Sequence, residues 1–441
     1  CDIAAPVLHF FWLLFLLVWV GPAYAQPLEP GQAEAETLFQ RLLTALRQIQ
    51  IIDNHAHPTL IEASEGKASL PLPVRLRPTN PEYVQAFRVL YDYPHADLSP
   101  DHVQELRALK QQKRATLGNA YFNDVLDRVG IAVSLANRAS MNRAPLDHSR
   151  FKWVPFMDAY LFPLDNSVYK KMNAEYQTFF SLQERLLTRY LEQVETRRPR
   201  TFDAYLQFIR ESLGRLKNEG AVAVAFDVAH VRSLRFDDPS RRQARRVYER
   251  YRSSTKVPED EYHLLQDYLF RYLLRQATLL KLPIQIHCGL GTGTTLSLAA
   301  ANPLHLENLL NDPQYRPTTF VLLNGGYPFT REAILLAGKS NVYVDSSGHM
   351  TLALYPSDLA RTLKEWLTLY PEKILFGTGA VVVSDLLGAE ETYWLATETG
   401  RRALALALSE MVQEGRCDEA QALDFARLVL RENAAHVYRL P

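Results

Sequence analysis

Cysteine is scarce, with three in 441 residues, at positions 1, 288 and 417. So few cannot form the framework of a disulfide-stapled scaffold, and stability must come from a large buried core. Cys288 and Cys417 then read as unpaired core thiols. An excess of either charge is missing too, since 49 Lys and Arg face 49 Asp and Glu. Without a net basic field, nucleic acid and anionic membrane surfaces are not the expected partners. The apolar run Phe10–Val20 is too short to cross a bilayer, which takes about 20 apolar residues. Followed by Gly21-Pro22 and the small residues Ala23 and Ala25, it reads as a secretory leader cleaved after Ala25. That leaves an exported chain, residues 26–441, with no membrane span. Phosphate-loop chemistry is absent as well. Gly289–Thr295 is glycine-rich but lacks the following lysine and the G-x-G-x-x-G spacing, and Ser346-Ser347 has no nucleophile-elbow glycines around it.

What is present is alternation. Short apolar runs begin at Ile51, Arg128, Phe151, Ala221, Pro283, Thr319, Asn341 and Lys373, and stretches of helical spacing separate most of them. Among the helices are 167–195, Phe202–Leu216, Pro258–Leu280, Pro303–Leu310, Thr330–Gly338 and Pro356–Tyr370. Strands alternating with helices imply a parallel sheet with right-handed crossovers, and eight such units imply an α/β fold closed as a (β/α)8 barrel. Residues 60–125 are charged, helical and broken by proline, which suggests a helical insertion or lid after strand 1. The run Arg241–Arg252 is basic with acids nearby, and reads as a solvated helix face.

In a barrel, chemistry sits where strands end. His55 and His57 stand two apart just past the first strand, so an extended chain turns both rings to one side. His287 closes the fifth strand at the same mouth. Three imidazoles suit one borderline divalent metal, zinc best of all, with a position left open. Asp227, His230, Asp345 and His349 also lie near strand ends. Arg138, directly after the second strand, is a candidate to clamp a substrate carboxylate, or else to pair with a neighbouring acid. Asn324 donates or accepts hydrogen bonds but is a poor zinc ligand, so it is a candidate substrate contact.

These residues lie in stretches that resemble the amidohydrolase superfamily, in its amidohydrolase-2, nodulin-like branch. The likeness runs through IIDNHAH (51–57), Asn137-Arg138, WVPF (153–156), Gly220–Phe226 and Arg232-Ser233-Leu234. It continues through QIHCGLG, ANPLHLENLL, YPFTREAILLA and NVYVD between Leu282 and Asp345, then KILFGTGA (373–380) and RENAA (431–435). The resemblance implies metal-site roles for His55, His57 and His287. It also implies departures. Relatives often carry Lys where this chain has Ala225 and His where it has Asn324, and they place a proton-transferring Asp where it has Gly379. Two readings follow. One is an exported enzyme that uses one divalent metal to hydrolyse, or decarboxylate, a small carbonyl substrate. The other is a catalytically inactive barrel that binds a ligand or partner at the same mouth.

Overall fold

Every apolar run read as a strand forms one. The computed structural model describes residues 30–59, 81–141, 146–195, 198–254, 256–291 and 297–441, so the expected leader and residues 60–80 of the expected insertion lie outside it. The strands are β1 (Ile51–Ala56), β2 (Ile131–Asn137), β3 (Phe151–Val154), β4 (Val224–Phe226), β5 (Ile284–His287), β6 (Phe320–Leu323), β7 (Val342–Asp345) and β8 (Ile374–Leu375). All pair in parallel, in the orders β1-β2-β3 and β4-β5-β6-β7-β8. Backbone hydrogen bonds join the two sheets at both seams. Val222 and Ala225 donate to the carbonyls of Trp153 and Pro155 at 3.0 and 2.9 Å, and Asn54 and His57 donate to those of Phe376 and Ala380 at 2.9 and 2.7 Å. The eight strands therefore follow one another around a barrel.

Strand alternation sorts the side chains into two cores. Ile52, Leu135, Val154, Ala223, Ala225, Val321, Leu323 and Leu375 pack together inside the barrel, with Ala434, Val437 and Tyr438 of the last helix (Asn433–Tyr438) packed against them. Their neighbours Ile51, Val224, Ile284, Ile286, Phe320, Leu322, Val342 and Val344 face the helical layer. The same alternation carries Asn137, Asp227 and His287 to the inward side at the C-terminal strand ends. Ala225, two residues below Asp227, is a fully buried interior residue.

Some boundaries shift, each for a local reason. β2 begins at Ile131 and not Arg128, because Arg128 and Val129 complete the helix Tyr121–Val129 and Gly130 (φ 70°) caps it in the left-handed conformation. The helix expected over 167–195 is two, Ser167–Lys170 and Ala174–Gln193; the second starts where the Asn173 side chain accepts from the Tyr176 amide. Pro303–Leu306 is a 3-10 turn ahead of a short α-helix, Glu307–Asn311. The described part of the insertion forms helices Pro81–Tyr91 and Pro100–Leu117. It is tied to the barrel's outer helix Ala389–Gln413 by buried charge pairs, Lys110 Nζ to Glu391 at 2.6 Å and Arg114 to Glu390 at 2.8 Å. The basic run is a capped helix, Arg241–Tyr251, with Ala244, Val247 and Tyr248 buried and Arg241 and Arg245 paired to Asp203. Cys288 and Cys417 are buried and unpaired, as read from the sequence. Among the described residues no helix is long and apolar enough to cross a membrane.

Candidate metal centre

The three histidines meet at the barrel mouth. Candidate ligand nitrogens of His55, His57 and His287 all lie within 4.8 Å of one another, the one such His/Cys/Asp/Glu group among the described residues. Nε2 of His55 and Nε2 of His57 are 3.0 Å apart, and the His287 ring centroid is 4.8 Å from that of His55. A tetrahedral zinc with Zn–N near ~2.1 Å holds its nitrogens about 3.4 Å apart, so only small side-chain adjustments separate this arrangement from a ligand set.

The far side of each ring is held. Nδ1 of His55 lies 2.8 Å from the Ser347 hydroxyl, which itself donates to Asp345 at 2.9 Å. Nδ1 of His57 donates to the carbonyl oxygen of Asn137 at 3.3 Å. Nδ1 of His287 is 3.1 Å from the Asn324 amide. Such outer partners fix ring orientation and tautomer in metal sites. A carbonyl can only accept, so His57 Nδ1 carries the proton and its Nε2 offers a lone pair. The Asn324 amide nitrogen faces His287 Nδ1 and its oxygen faces Ser347; the amide turned over, with its oxygen on His287, is the arrangement that frees Nε2 in the same way. Burial pushes His57 down to about 4 and His287 to about 3, and holds His55 well below the ordinary range, so all three rings are neutral at pH 7. Neutral imidazoles facing one point fit a divalent cation. The buried His287 Nε2, without a hydrogen-bond partner, is the orphan such an ion would satisfy.

Beneath the histidines a polar chain runs through the barrel. Asn137 donates to Gln285 at 2.8 Å, Gln285 donates to the Tyr438 hydroxyl at 3.0 Å, Tyr438 donates to Asn54, and Asn54 donates to Asp345 at 2.8 Å. Tyr438, three residues from Pro441, is thereby bonded into the support of His55.

The other mouth residues fall into place around this centre. Asp227 Oδ1 is 3.0 Å from His287 Nε2 but out of hydrogen-bond alignment, and neither atom has a hydrogen-bond partner. Both carboxylate oxygens of Asp158 accept the Asp227 amide, at 2.9 and 3.0 Å, which fixes the backbone there. Burial raises the Asp227 carboxyl above its ordinary value, opposed by His230 and His57 beside it. His230 stands edge-on to His287, ring centroids 5.9 Å apart, and His349 is buried after β7.

Arg138 is partly buried at the end of β2, donating to Ser140 O and Thr59 Oγ1 at 3.3 and 3.1 Å. No acid pairs with it among the described residues, so of its two sequence readings the neighbouring-acid one finds no partner there. Asn324 adopts a left-handed conformation (φ 58°), as do Gly325 and Gly326 after it; Asn tolerates that backbone better than most residues. Its side chain is committed to His287 and to Ser347. At Gly379 (φ 62°) a β-carbon would lie 2.5 Å from the Gly348 backbone. The chain itself occupies the space a side chain would need.

Ser347, Asn137, Asp158 and Tyr438 were not read as site residues from the sequence. Asn137 had a usable signal, since it shares the inward parity of β2 with Leu135. The others depend on contacts between distant segments.

Comparison with known proteins agrees with the fold. The Amidohydro_2 family (amidohydrolase) matches residues 185–440. Protein fluG of Emericella nidulans is 33% identical over 195 residues, which are 43% of this chain and 21% of that protein, so the match spans about a fifth of fluG. Among solved structures, a uronate isomerase from Thermotoga maritima superposes with TM-score 0.57 at 15% identity, covering 91% of this chain and 97% of its own. A glucuronate isomerase from Caulobacter crescentus gives TM-score 0.59 at 15% identity over 94% and 95%. A protein from Lactobacillus casei described as a metal-dependent hydrolase gives 0.59 at 17% over 90% and 97%. At these identities the structures speak for the fold alone. With the family matched across more than half of its length, the chain belongs to the Amidohydro_2 amidohydrolases.

Proposed function

We propose that this chain is an exported hydrolase that uses one divalent metal, zinc by its ligand chemistry, to cleave a small carbonyl substrate at the barrel mouth. The observation that carries the reading is the convergence of His55, His57 and His287, each with Nδ1 held from behind. A divalent ion there supplies Lewis acidity to a carbonyl oxygen and to water. The chain's own residues do the rest. His55, His57 and His287 hold the ion, and Ser347, Asn137 and Asn324 keep the rings in register. Arg138, with no acid paired to it among the described residues, takes a substrate carboxylate. Asn324, bonded to His287 and Ser347, steadies the floor of the mouth. With glycine at 379, Asp227 Oδ1, 3.0 Å from His287 Nε2, is placed to accept the proton of the attacking water.

Changing His287→Ala is expected to lower bound zinc from about one equivalent to below about a tenth, and to abolish hydrolysis of an ester and amide panel. Metal analysis of the purified chain after zinc-supplemented expression checks this. An Ala variant with undiminished zinc would remove His287 from the site, and a parent chain that binds none would remove the proposal.

A further inference from the structure

The polar chain beneath the histidines passes its protons in one direction. Its two fixed points are groups that only accept, the Asn54 backbone carbonyl and the Asp345 carboxylate. The carbonyl takes Gln285 Nε2 at 2.9 Å, so the nitrogen end of that amide also faces the Tyr438 hydroxyl, at 3.0 Å. Receiving a proton from Gln285, the hydroxyl gives its own to Asn54 Oδ1. Burial holds the Tyr438 phenol well above its ordinary range, so it keeps that proton to donate. Asn54 then turns its nitrogen to Asp345 Oδ2 at 2.8 Å, and Asp345 Oδ1 takes the Ser347 hydroxyl at 2.9 Å. Asn54, Gln285, Asp345, Ser347 and Tyr438 are all buried, so bulk water is not there to replace a missing partner.

The direction of the chain decides where His55 carries its proton. Ser347 has one hydroxyl proton and two close groups that can take it, Asp345 Oδ1 and His55 Nδ1, the latter at 2.8 Å. The carboxylate is the stronger acceptor, since hydrogen bonds to an ionised group are roughly twice as strong as neutral ones. Given to the ring instead, the proton would leave Oδ1 with the Ser347 amide at 3.2 Å in its place. The hydroxyl oxygen therefore accepts from His55, which is protonated at Nδ1 and offers the Nε2 lone pair. The Nε2 lone pairs of His55 and His57 then face each other across 3.0 Å, an opposition that a cation relieves. Without the Tyr438 hydroxyl, Asn54 loses the bond that tells its two amide ends apart, and the Asp345 carboxylate loses its fixed setting towards Ser347.

Resting on the proposed metal centre, we infer that Tyr438 is a positioning residue: its hydroxyl, working through Asn54, Asp345 and Ser347, fixes His55 in the tautomer that presents Nε2 to the metal. The helix Asn433–Tyr438 thereby bears on the metal site from within the barrel. Nitrogen NMR of the metal-free chain, isotope-labelled at histidine, reads the tautomer, with His55 assigned against a His55→Gln chain. The expected result is His55 protonated at Nδ1 in the parent and shifted towards the Nε2–H form in Tyr438→Phe. His57, held by a backbone carbonyl, should not change. Zinc should bind Tyr438→Phe about tenfold or more weakly than the parent, the scale for losing an outer support of a metal ligand. Val437→Ala loosens the same helix without removing a polar atom, and should leave the His55 tautomer and zinc affinity at parental values. Asn54→Leu, which cuts the chain one link nearer Asp345, should act like Tyr438→Phe and keeps the inference testable if that variant does not fold. A parent in the Nε2–H form, a parental His55 tautomer in Tyr438→Phe, or the same shift in Val437→Ala would overturn the inference. So would a Tyr438→Phe chain that holds zinc as tightly as a zinc-binding parent. Because the tautomer is read without metal or turnover, a parent with the expected tautomer that binds no zinc would refute the hydrolase proposal and leave the hold of Tyr438 on His55 standing.

Discussion

Gly379→Asp is expected to cost the fold about 2–4 kcal/mol and to gain no metal affinity. From the sequence, an aspartate is expected at this position in relatives, so the substitution would read as a restoration. The geometry opposes it. Position 379 has φ 62°, and its β-carbon would sit 2.5 Å from both N and Cα of Gly348. Those are backbone atoms, which no rotamer change moves aside. Gly348 cannot retreat easily, since it has φ 61° itself and a β-carbon on it would meet Asn324 Oδ1 at 2.2 Å. Gly377 is hemmed in by Ser347 and Asp345, and Thr378 is bonded to Asp53 through its amide at 2.7 Å and its hydroxyl at 3.0 Å. Urea unfolding measures the loss. Gly379→Ala separates the causes: it should show most of the same destabilisation without any carboxylate. A Gly379→Asp chain as stable as the parent, with tighter zinc, would show that this loop accommodates the fourth ligand after all.

Glu391→Ala is expected to destabilise by about 3–5 kcal/mol, the cost of stranding a buried charge. Glu391 is fully buried at the start of the helix Ala389–Gln413. It lies 2.6 Å from Lys110 Nζ and accepts from the Tyr91 hydroxyl and the Gly388 amide, each at 2.6 Å. Lys110 comes from the insertion and is itself 5% exposed, so removing its partner leaves an ammonium with the Leu386 carbonyl at 2.9 Å and the nearby charge of Glu390, which Arg114 already shares. The loss should fall on the insertion first. Hydrogen exchange should quicken in Pro81–Tyr91 and Pro100–Leu117 before the barrel strands open. The double change Lys110→Met with Glu391→Leu should recover much of the stability, since apolar replacements of a buried pair pack without a desolvated charge. A Glu391→Ala chain within about 1 kcal/mol of the parent would show that solvent reaches the pair.

Much of this was legible in the residues. Eight apolar runs became eight parallel strands because each is short and rich in branched residues, several with a polar stop, as in IIDNH and PIQIH. The early start at Arg128 came from reading the apolar tail of a helix as the head of a strand. The histidines were legible because a barrel gathers its strand ends: His55 and His57 are 230 or more positions from His287, and the topology alone unites them. What holds them was not. The Ser347 hydroxyl reaches His55 across 292 positions, and the His57 partner is a backbone carbonyl, for which side-chain identity carries no signal. Gly379 illustrates the same limit. Its identity raised the expectation of a missing carboxylate, and only the structure showed the Gly348 backbone where a β-carbon would lie.

The account rests on one ion held by three imidazoles, and X-ray absorption at the zinc edge of the metal-loaded chain tests that most directly. It predicts about one zinc per chain in a shell of nitrogen and oxygen at ~2.0–2.1 Å, with the outer-shell scattering of three imidazoles that falls to two in His287→Ala. A shell with fewer than three imidazoles, or a spectrum unchanged by His287→Ala, would contradict it.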